Sequence, residues 1–564
     1  MNCGRKKWWD RGVIYQIYPL TFADGNGDGV GDLRGIIERL DYLNNGNPNS
    51  PTSLGVDAIW LSPINKSPMV DNGYDVSDYR EICPMFGTLE EFDELLEKAH
   101  QRGIKIILDL VLNHTSDRHD WFLESRSSRE NPKADWYLWQ EGYKDNPPNN
   151  WLSYFGGSGW TFCEERNQYY FHTFNPNQPD LNWRNREVRE AVFDLVRFWL
   201  DRGVDGFRLD ASSAYSKDRY FRDNPRKFAS SDKNAYNNYH HLYEKNLPEN
   251  HEIVREIRQI IDEYDDRLLI GETFIDNRLY ESVAFYGVNH DELHLPFTFE
   301  FAFSPWYPGH LQGEIERKEL LTPEGAQPVY FWDNHDIPRH LSRWVDCSLC
   351  VDSMAIAMAA ATLLLTVRGT PVLYYGQEIG MVDYDDIPLE LSRDQAIAPN
   401  PESGEVPERR DGARTPMQWD DSPQAGFSFG KNPQPWLPVH PNYKEVNVAA
   451  QLKDERSLWH FYRRLIAVRR NSEALLWGRV QTLIHYPHEH LAYLRETDGE
   501  TVLVAINFSF KKPLTLDVPI DRTGWEILVS ARDNRTEPFR EETGTAIDLP
   551  ETLEAFEVLV LRKV

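Results

Sequence analysis

Short apolar strands alternate with amphipathic helical stretches through most of the chain, several of those strands end in acids, arginine or histidine, and the last ninety residues turn to period-two patterning. Together these predict an α/β fold, a (β/α)8 TIM barrel with an inserted subdomain and a C-terminal antiparallel β-sandwich. At 564 residues the chain exceeds one ordinary domain and has room for a large core with one or two smaller units. Ala58–Leu61 precedes a helix over Leu89–Arg102, which leads into a strand over Ile106–Leu112. This βα rhythm favours a parallel sheet.

The rhythm breaks after His114. Residues 115–177 are rich in Trp, Tyr, Asn, Gly and Pro and too long for a plain loop, so they are read as the inserted subdomain. A helix over Glu187–Leu200 resumes the pattern, followed by strands near Gly206, Ile270, Leu295 and Val329, an eighth over Pro371–Gly376, and a last helix over Ser457–Arg470. The barrel therefore takes residues 1–114 and 178–475. Thr501–Asn507 and Glu554–Val560 alternate as antiparallel strands do, placing the sandwich in 476–564.

The formal charge of −28 argues against nucleic acid or an anionic membrane as partner, since both would be repelled, and is compatible with a neutral substrate. No uninterrupted apolar run is long enough to span a bilayer, and the basic start has no apolar stretch behind it to make a signal peptide. Five cysteines, an odd number in a large protein, suggest reduced thiols and a cytoplasmic setting. Cys347-Ser348-Leu349-Cys350 has C-x-x-C spacing, but with no second pair it is read as thiols near a helix start.

Four strand ends carry the chemistry. Ile106–Leu112 runs into Asn113-His114; Val204-Asp205-Gly206-Phe207-Arg208-Leu209-Asp210 and Leu268-Leu269-Ile270-Gly271-Glu272-Thr273 follow; and Pro328–Trp332 opens onto Asp333-Asn334-His335-Asp336-Ile337-Pro338. The C-terminal ends of barrel strands are where such enzymes keep their catalytic groups. In order and spacing the four segments closely resemble the signature regions of the α-amylase superfamily, glycoside hydrolase family 13, and the likeness covers nearly the whole chain. Gln178-Pro179-Asp180-Leu181-Asn182 resembles a fifth region, that of the α-glucosidase and oligo-1,6-glucosidase branch. The resemblance implies the same subdomain after the third strand.

Retaining cleavage of a glycosidic bond needs a carboxylate nucleophile and a carboxylic acid about 5 Å apart. Asp210 and Glu272, ending adjacent strands, can meet that distance, and the family positions they match are nucleophile and acid/base respectively. Arg208, two residues before Asp210 on the same strand face, would keep it ionised. By resemblance Asp336 stabilises the transition state, His114 and His335 donate to sugar hydroxyls, Asp71 and Arg414 bind the 4-hydroxyl side of a terminal glucose, Tyr74 stacks beneath its ring, and Phe174 and Gln178 lie near the same subsite. Asp109 and Asp205 are read as acids that support the barrel.

Asp24-Gly25-Asn26-Gly27-Asp28-Gly29-Val30-Gly31-Asp32 sets side-chain oxygens at alternate positions with glycines between, as a tight loop around a hard cation requires. Position twelve is Gly35 rather than Glu, so this is no complete EF-hand. It resembles the calcium loop of the α-glucosidase branch, which implies a structural Ca2+ held by Asp24, Asn26, Asp28, the Val30 carbonyl and Asp32. No organic cofactor is implied.

The resemblance points to a retaining exo-acting α-glucosidase for maltose and short maltooligosaccharides. Ala211, after the nucleophile, goes with α-1,4 preference in the branch, whereas Val goes with α-1,6. Oligo-1,6-glucosidase activity is one alternative. A trehalose synthase-like isomerase or transglucosylase is another, because the chain departs from the common glucosidase pattern between Val382 and Arg409. A non-catalytic scaffold would have lost the acids that this chain keeps.

Overall fold

The computed structural model describes residues 6–230, 232, 234–273, 279–345, 353–394, 409–430, 433–484, 488–531 and 546–564. Cys347 and Cys350 lie outside the described residues, as does the greater part of the segment between Val382 and Arg409. Eight parallel strands form one sheet: β1 (Ile14–Ile17), β2 (Ala58–Leu61), β3 (Lys105–Leu110), β4 (Gly206–Leu209), β5 (Leu268–Glu272), β6 (Leu295–Phe297), β7 (Val329–Phe331) and β8 (Thr370–Tyr374). Their order is β6-β5-β4-β3-β2-β1-β8-β7. Phe297 of β6 and Phe331 of β7 stack with ring centroids 4.0 Å apart, which brings the two sheet edges together. The strands are apolar on both faces, Ile14, Trp60, Ile107 and Ile270 filling the interior, as expected when helices cover the outside.

Local signals set the helix ends. Thr88 accepts the Glu91 N–H while Glu91 reaches back to Thr88, a reciprocal cap that starts the helix Leu89–Gln101. The helix Arg186–Arg202 starts on Asn185 and stops at Gly203, whose φ of +108° suits glycine.

In the insertion, Trp139–Gln140, Gln168–Phe171 and Trp160–Cys163 make a small antiparallel sheet around Trp151, Trp160 and Phe171. It is fastened to the barrel through Asp180, which accepts from the Thr173 N–H (2.9 Å) and Oγ1 (2.6 Å) and pairs with the buried Lys217 at 2.5 Å. Lys217 also donates to Asn113 Oδ1 at 2.7 Å, at the end of β3.

At the C-terminus, Arg479–Thr482, His490–Glu496, Thr501–Asn507, Val558–Lys563 and Trp525–Ala531 form a five-stranded antiparallel sheet. The ribbon of Leu514–Thr515 and Thr552–Leu553 shares its core through Leu503, Leu516, Leu553 and Leu561. The strand expected over Glu554–Val560 instead begins at Val558. Phe556 adopts φ +53°, a left-handed turn that breaks the extended run ahead of it. Cys83 and Cys163 are buried free thiols. Among the described residues no helix is long and apolar enough to cross a membrane.

Candidate active site

Parallel register places the acids. Arg208 on β4 lies opposite Asp109 on β3 and Ile270 on β5, so Glu272, two residues beyond Ile270, comes level with Asp210. The Arg208 guanidinium is fully buried and serves three carboxylates: Nη1 donates to Asp109 Oδ1 (2.9 Å) and Asp210 Oδ1 (2.7 Å), and Nη2 donates to Glu272 Oε2 (2.7 Å). Trp60 and Tyr74 hold Asp109 from behind, donating to its Oδ2 from Nε1 at 3.2 Å and the hydroxyl at 2.9 Å.

Ala211 follows Asp210 in a left-handed conformation, φ +44° and ψ +39°. That turn aims its N–H at Glu272 Oε2, 3.2 Å away. Among the described residues both hydrogen bonds accepted by the Glu272 carboxyl go to Oε2, so the proton that a general acid needs belongs on Oε1.

Asp336, after β7, sits among cations. Its Oδ1 accepts from Arg410 Nη1 and Arg414 Nη2, both at 3.0 Å, and its Oδ2 lies 3.0 Å from His335 Nε2. Gln16 Nε2 donates to His335 Nδ1 at 2.8 Å, which leaves the ring proton on Nε2, facing Asp336 and the Tyr74 hydroxyl 2.6 Å away. Tyr74 and His335 stack nearly parallel with centroids 5.2 Å apart.

Asp71 accepts from Arg410 Nη2 at 2.9 Å and from Gln178 Nε2 at 3.0 Å. His114 Nε2 lies 3.1 Å from the Tyr74 carbonyl and 3.2 Å from Gln178, with the Phe174 ring edge-on against it. Asp71, Tyr74, His114, Phe174, Gln178, Arg208, His335 and Arg414 thus gather with the three acids into one connected site.

Charges are unevenly balanced across it. Burial pushes the Asp210 carboxyl well up; Arg208 pulls it back, and Glu272, Asp109 and Asp336 push it up again. Asp109 is raised to about 6, by burial first and against the pull of Arg208. Asp109 and Asp210 thus lean on the one cation of Arg208. Burial would raise Asp336 too, but its cationic surroundings hold it well below the usual carboxylate range. His335 is itself pushed down to about 3 by burial, so that ring is neutral and the two arginines carry the effect. Burial likewise brings His114 down to about 4.

One pairing differs from expectation. Asp71 was expected to work with Arg414, yet among the described residues its guanidinium partner is Arg410. Both arginines lie on the 3-10 turn Arg410–Arg414, whose rotation turns Arg410 to Asp71 and Arg414 to Asp336 and the His335 carbonyl (2.6 Å). Arg410 and its buried partner Asp394 are the site residues that sequence reasoning missed. The Arg-x-x-x-Arg spacing was the visible signal for Arg410.

The loop Asp24–Asp32 lies apart from these acids. Asp24 accepts from the amides of Gly27 (2.6 Å) and Gly29 (2.8 Å), and Asp32 from those of Gly25 (3.0 Å), Asn26 (3.0 Å) and Gly35 (2.6 Å). Asn26 Oδ1 accepts from Asp28 N, and Asp28 Oδ1 from Val30 N. Among the described residues no three His, Cys, Asp or Glu side chains converge as a preformed metal centre.

Residues 16–478 match the Alpha amylase, catalytic domain family, and residues 482–552 match the Maltogenic Amylase, C-terminal domain family. The chain belongs to the α-amylase family of glycoside hydrolases. Among its relatives, an oligo-1,6-glucosidase of Parageobacillus thermoglucosidasius is 40% identical over 539 residues, covering 90% of this chain and 91% of the relative. A probable alpha-glucosidase of Rhizobium meliloti is 42% identical over 530 residues, 92% of each chain. Two solved structures share the fold: the alpha-glucosyl transfer enzyme XgtA, with TM-score 0.86, 38% identity and coverage of 99% of this chain and 100% of that one, and the trehalulose synthase MutB from Pseudomonas mesoacidophila, with TM-score 0.85, 35% identity and the same coverage. As an α-amylase-family enzyme the protein is a glycoside hydrolase, and Asp210, Glu272 and Asp336 stand at the strand ends where that chemistry is done.

Proposed function

We propose that the protein is a retaining, exo-acting α-glucosidase that releases terminal non-reducing α-1,4-linked glucose from maltose and short maltooligosaccharides. The observation that carries this is the guanidinium of Arg208, bonded to Asp210 through one Nη and to Glu272 through the other. One cation holding both carboxyls makes a close pair of the kind that double displacement uses. Asp210 attacks the anomeric carbon while Glu272 gives its proton to the leaving oxygen; Glu272 then takes a proton from water as water attacks the same carbon and its bond to Asp210 breaks, freeing the carboxylate. Asp336, kept anionic by Arg410 and Arg414, faces the positive charge that develops on the sugar.

The bridge from Arg410 to both Asp71 and Asp336 supports exo action, because side chains tied together there would wall the site off beyond a terminal sugar. Ala211 favours α-1,4 linkages, whereas the names of the oligo-1,6-glucosidase relatives favour α-1,6. Kinship with an alpha-glucosyl transfer enzyme supports transglucosylation as a side reaction. Early proton NMR of maltotriose and isomaltose digests tests the reading. We expect α-glucose before mutarotation, released from the non-reducing end and faster from maltotriose. First appearance of β-glucose overturns the double displacement, and ready cleavage of a substrate blocked at the terminal 4-hydroxyl overturns the exo pocket.

A hard cation, Ca2+, at the Asp24–Asp32 loop belongs to the same proposal. The donor set of Asp24, Asn26, Asp28, Asp32 and the Val30 carbonyl is all oxygen, and the loop is already closed by its own amides. A bound ion would stabilise only the folded state, so chelation should lower the melting temperature. An unchanged melting curve in a verified metal-free sample rules the ion out.

A further inference from the structure

Arg410 is gripped from outside the pocket. Asp394, sixteen residues earlier, accepts its Nε–H (3.0 Å) and backbone N–H (3.0 Å) through Oδ2 and its Nη2–H (2.7 Å) through Oδ1. The remaining reach of the fork goes inward, to Asp71 (2.9 Å) and Asp336 (3.0 Å). The Asp394 side chain is 0% exposed, while those of Asp71 and Asp336 are 6% and 29% exposed. Asp394 therefore has no face toward a substrate.

Asp394 is held in its turn. Asp411 Oδ2 accepts the N–H groups of Arg393 (3.0 Å) and Asp394 (3.2 Å) and the Ser392 hydroxyl. Burial would raise the Asp394 carboxyl, but Arg410 and then Arg414 hold it at about 2, so it remains an anion.

A guanidinium facing only Asp71 and Asp336 could turn about its own side chain and favour either acid. The bidentate grip on the Nε edge removes that freedom. We propose that Asp394 is a positioning residue for the glycosidase reaction: it fixes Arg410 so that Asp71 and Asp336 are bridged at a set separation, which sets where the terminal sugar can sit. This rests on the exo-glucosidase reading for its kinetic readout only.

The test is a double-mutant cycle of Asp394→Asn and Arg410→Lys, with Asp394→Glu as the conservative variant, assayed on p-nitrophenyl α-glucoside. Asp394→Asn should raise KM about tenfold while kcat falls less than about threefold, since loss of a charged hydrogen-bond grip displaces a ground-state contact. In the Arg410→Lys background the same change should add less than about twofold, because coupled residues are not additive. Asp394→Glu should recover part of the KM. An unchanged KM with only a lower melting temperature, or full additivity in the cycle, overturns the proposal. If the unmodified protein does not turn over the glucoside, the functional reading fails, and a crystal structure of the Asp394→Asn protein decides instead. Displacement of Arg410 from Asp71 or Asp336 upholds the positioning role, and an unmoved Arg410 overturns it.

Discussion

Two buried acids of the same barrel, Asp205 and Asp210, sit at opposite ends of one short strand and live in opposite electrostatic settings. Asp205, just before β4, accepts from His100 (2.6 Å), Lys105 (3.0 Å), the Ile106 amide (3.0 Å) and Arg267 (3.4 Å). Burial would raise it, but those partners hold it below the ordinary range. Asp210, just after β4, is pushed up by burial and then by its acidic neighbours, and shares the single guanidinium of Arg208 with Asp109 and Glu272. One end has several donors for each acid and the other has several acids for one cation. An over-served carboxylate is inert scaffold. An under-served acid is one whose charge its neighbours can shift, the setting in which functional groups are found.

The sharpest way to break this comparison is Arg208→Met. Three acids would lose their common cation, so kcat on an aryl α-glucoside should fall by more than about a thousandfold, and urea unfolding should show a loss of about 3 kcal/mol. A kcat within tenfold of the parent value would mean that the shared cation is not what sets the acids. At the other end, Asp205→Asn should lower stability by about 1 to 2 kcal/mol, as expected for weakened buried hydrogen bonds, and leave kcat/KM within about twofold. A large loss of kcat/KM there would erase the distinction between the two ends.

A further effect concerns the neutral rings. His114 and His335 stay unprotonated in the fold down to about 4 and about 3, whereas an unfolded imidazole takes its proton near 6.5. Between these values the unfolded chain binds more protons than the folded one. Stability should therefore rise with pH across that window and be lost as pH falls from 6.5 toward 4. In His114→Asn the slope should be shallower by up to about 1.4 kcal/mol per pH unit, measured by urea titration at several pH values. An unchanged slope would show that His114 is protonated in the fold.

Much of this was legible in the residues because the candidate acids end apolar strands: Asp210 and Glu272 needed only the strand boundaries to be placed side by side. Of the two acids read as support, Asp205 lies at the far end of β4 from Asp210, while Asp109 shares Arg208 with it. What escaped depended on rotation rather than position. Arg410 and Arg414 are four residues apart on a tight turn, and which one meets Asp71 is decided by the turn's twist. Asp394 could not be found from patterning at all, since a lone acid in a loop carries no periodic signal. The late start of the last strand at Val558 followed from a left-handed phenylalanine, a conformation that side-chain alternation does not announce.

The seam at Phe297 and Phe331 gives the barrel a mechanical character. Among the described residues no ladder of backbone hydrogen bonds joins β6 to β7, so the ring is a split collar whose lips meet through two stacked faces. Ladders resist stretching along their whole length, whereas stacked rings slide. Asp336 rides on one lip, and Glu272 stands one strand in from the other. The spacing of these acids across the seam accordingly rests on packed rings and side-chain ties rather than on a backbone ladder.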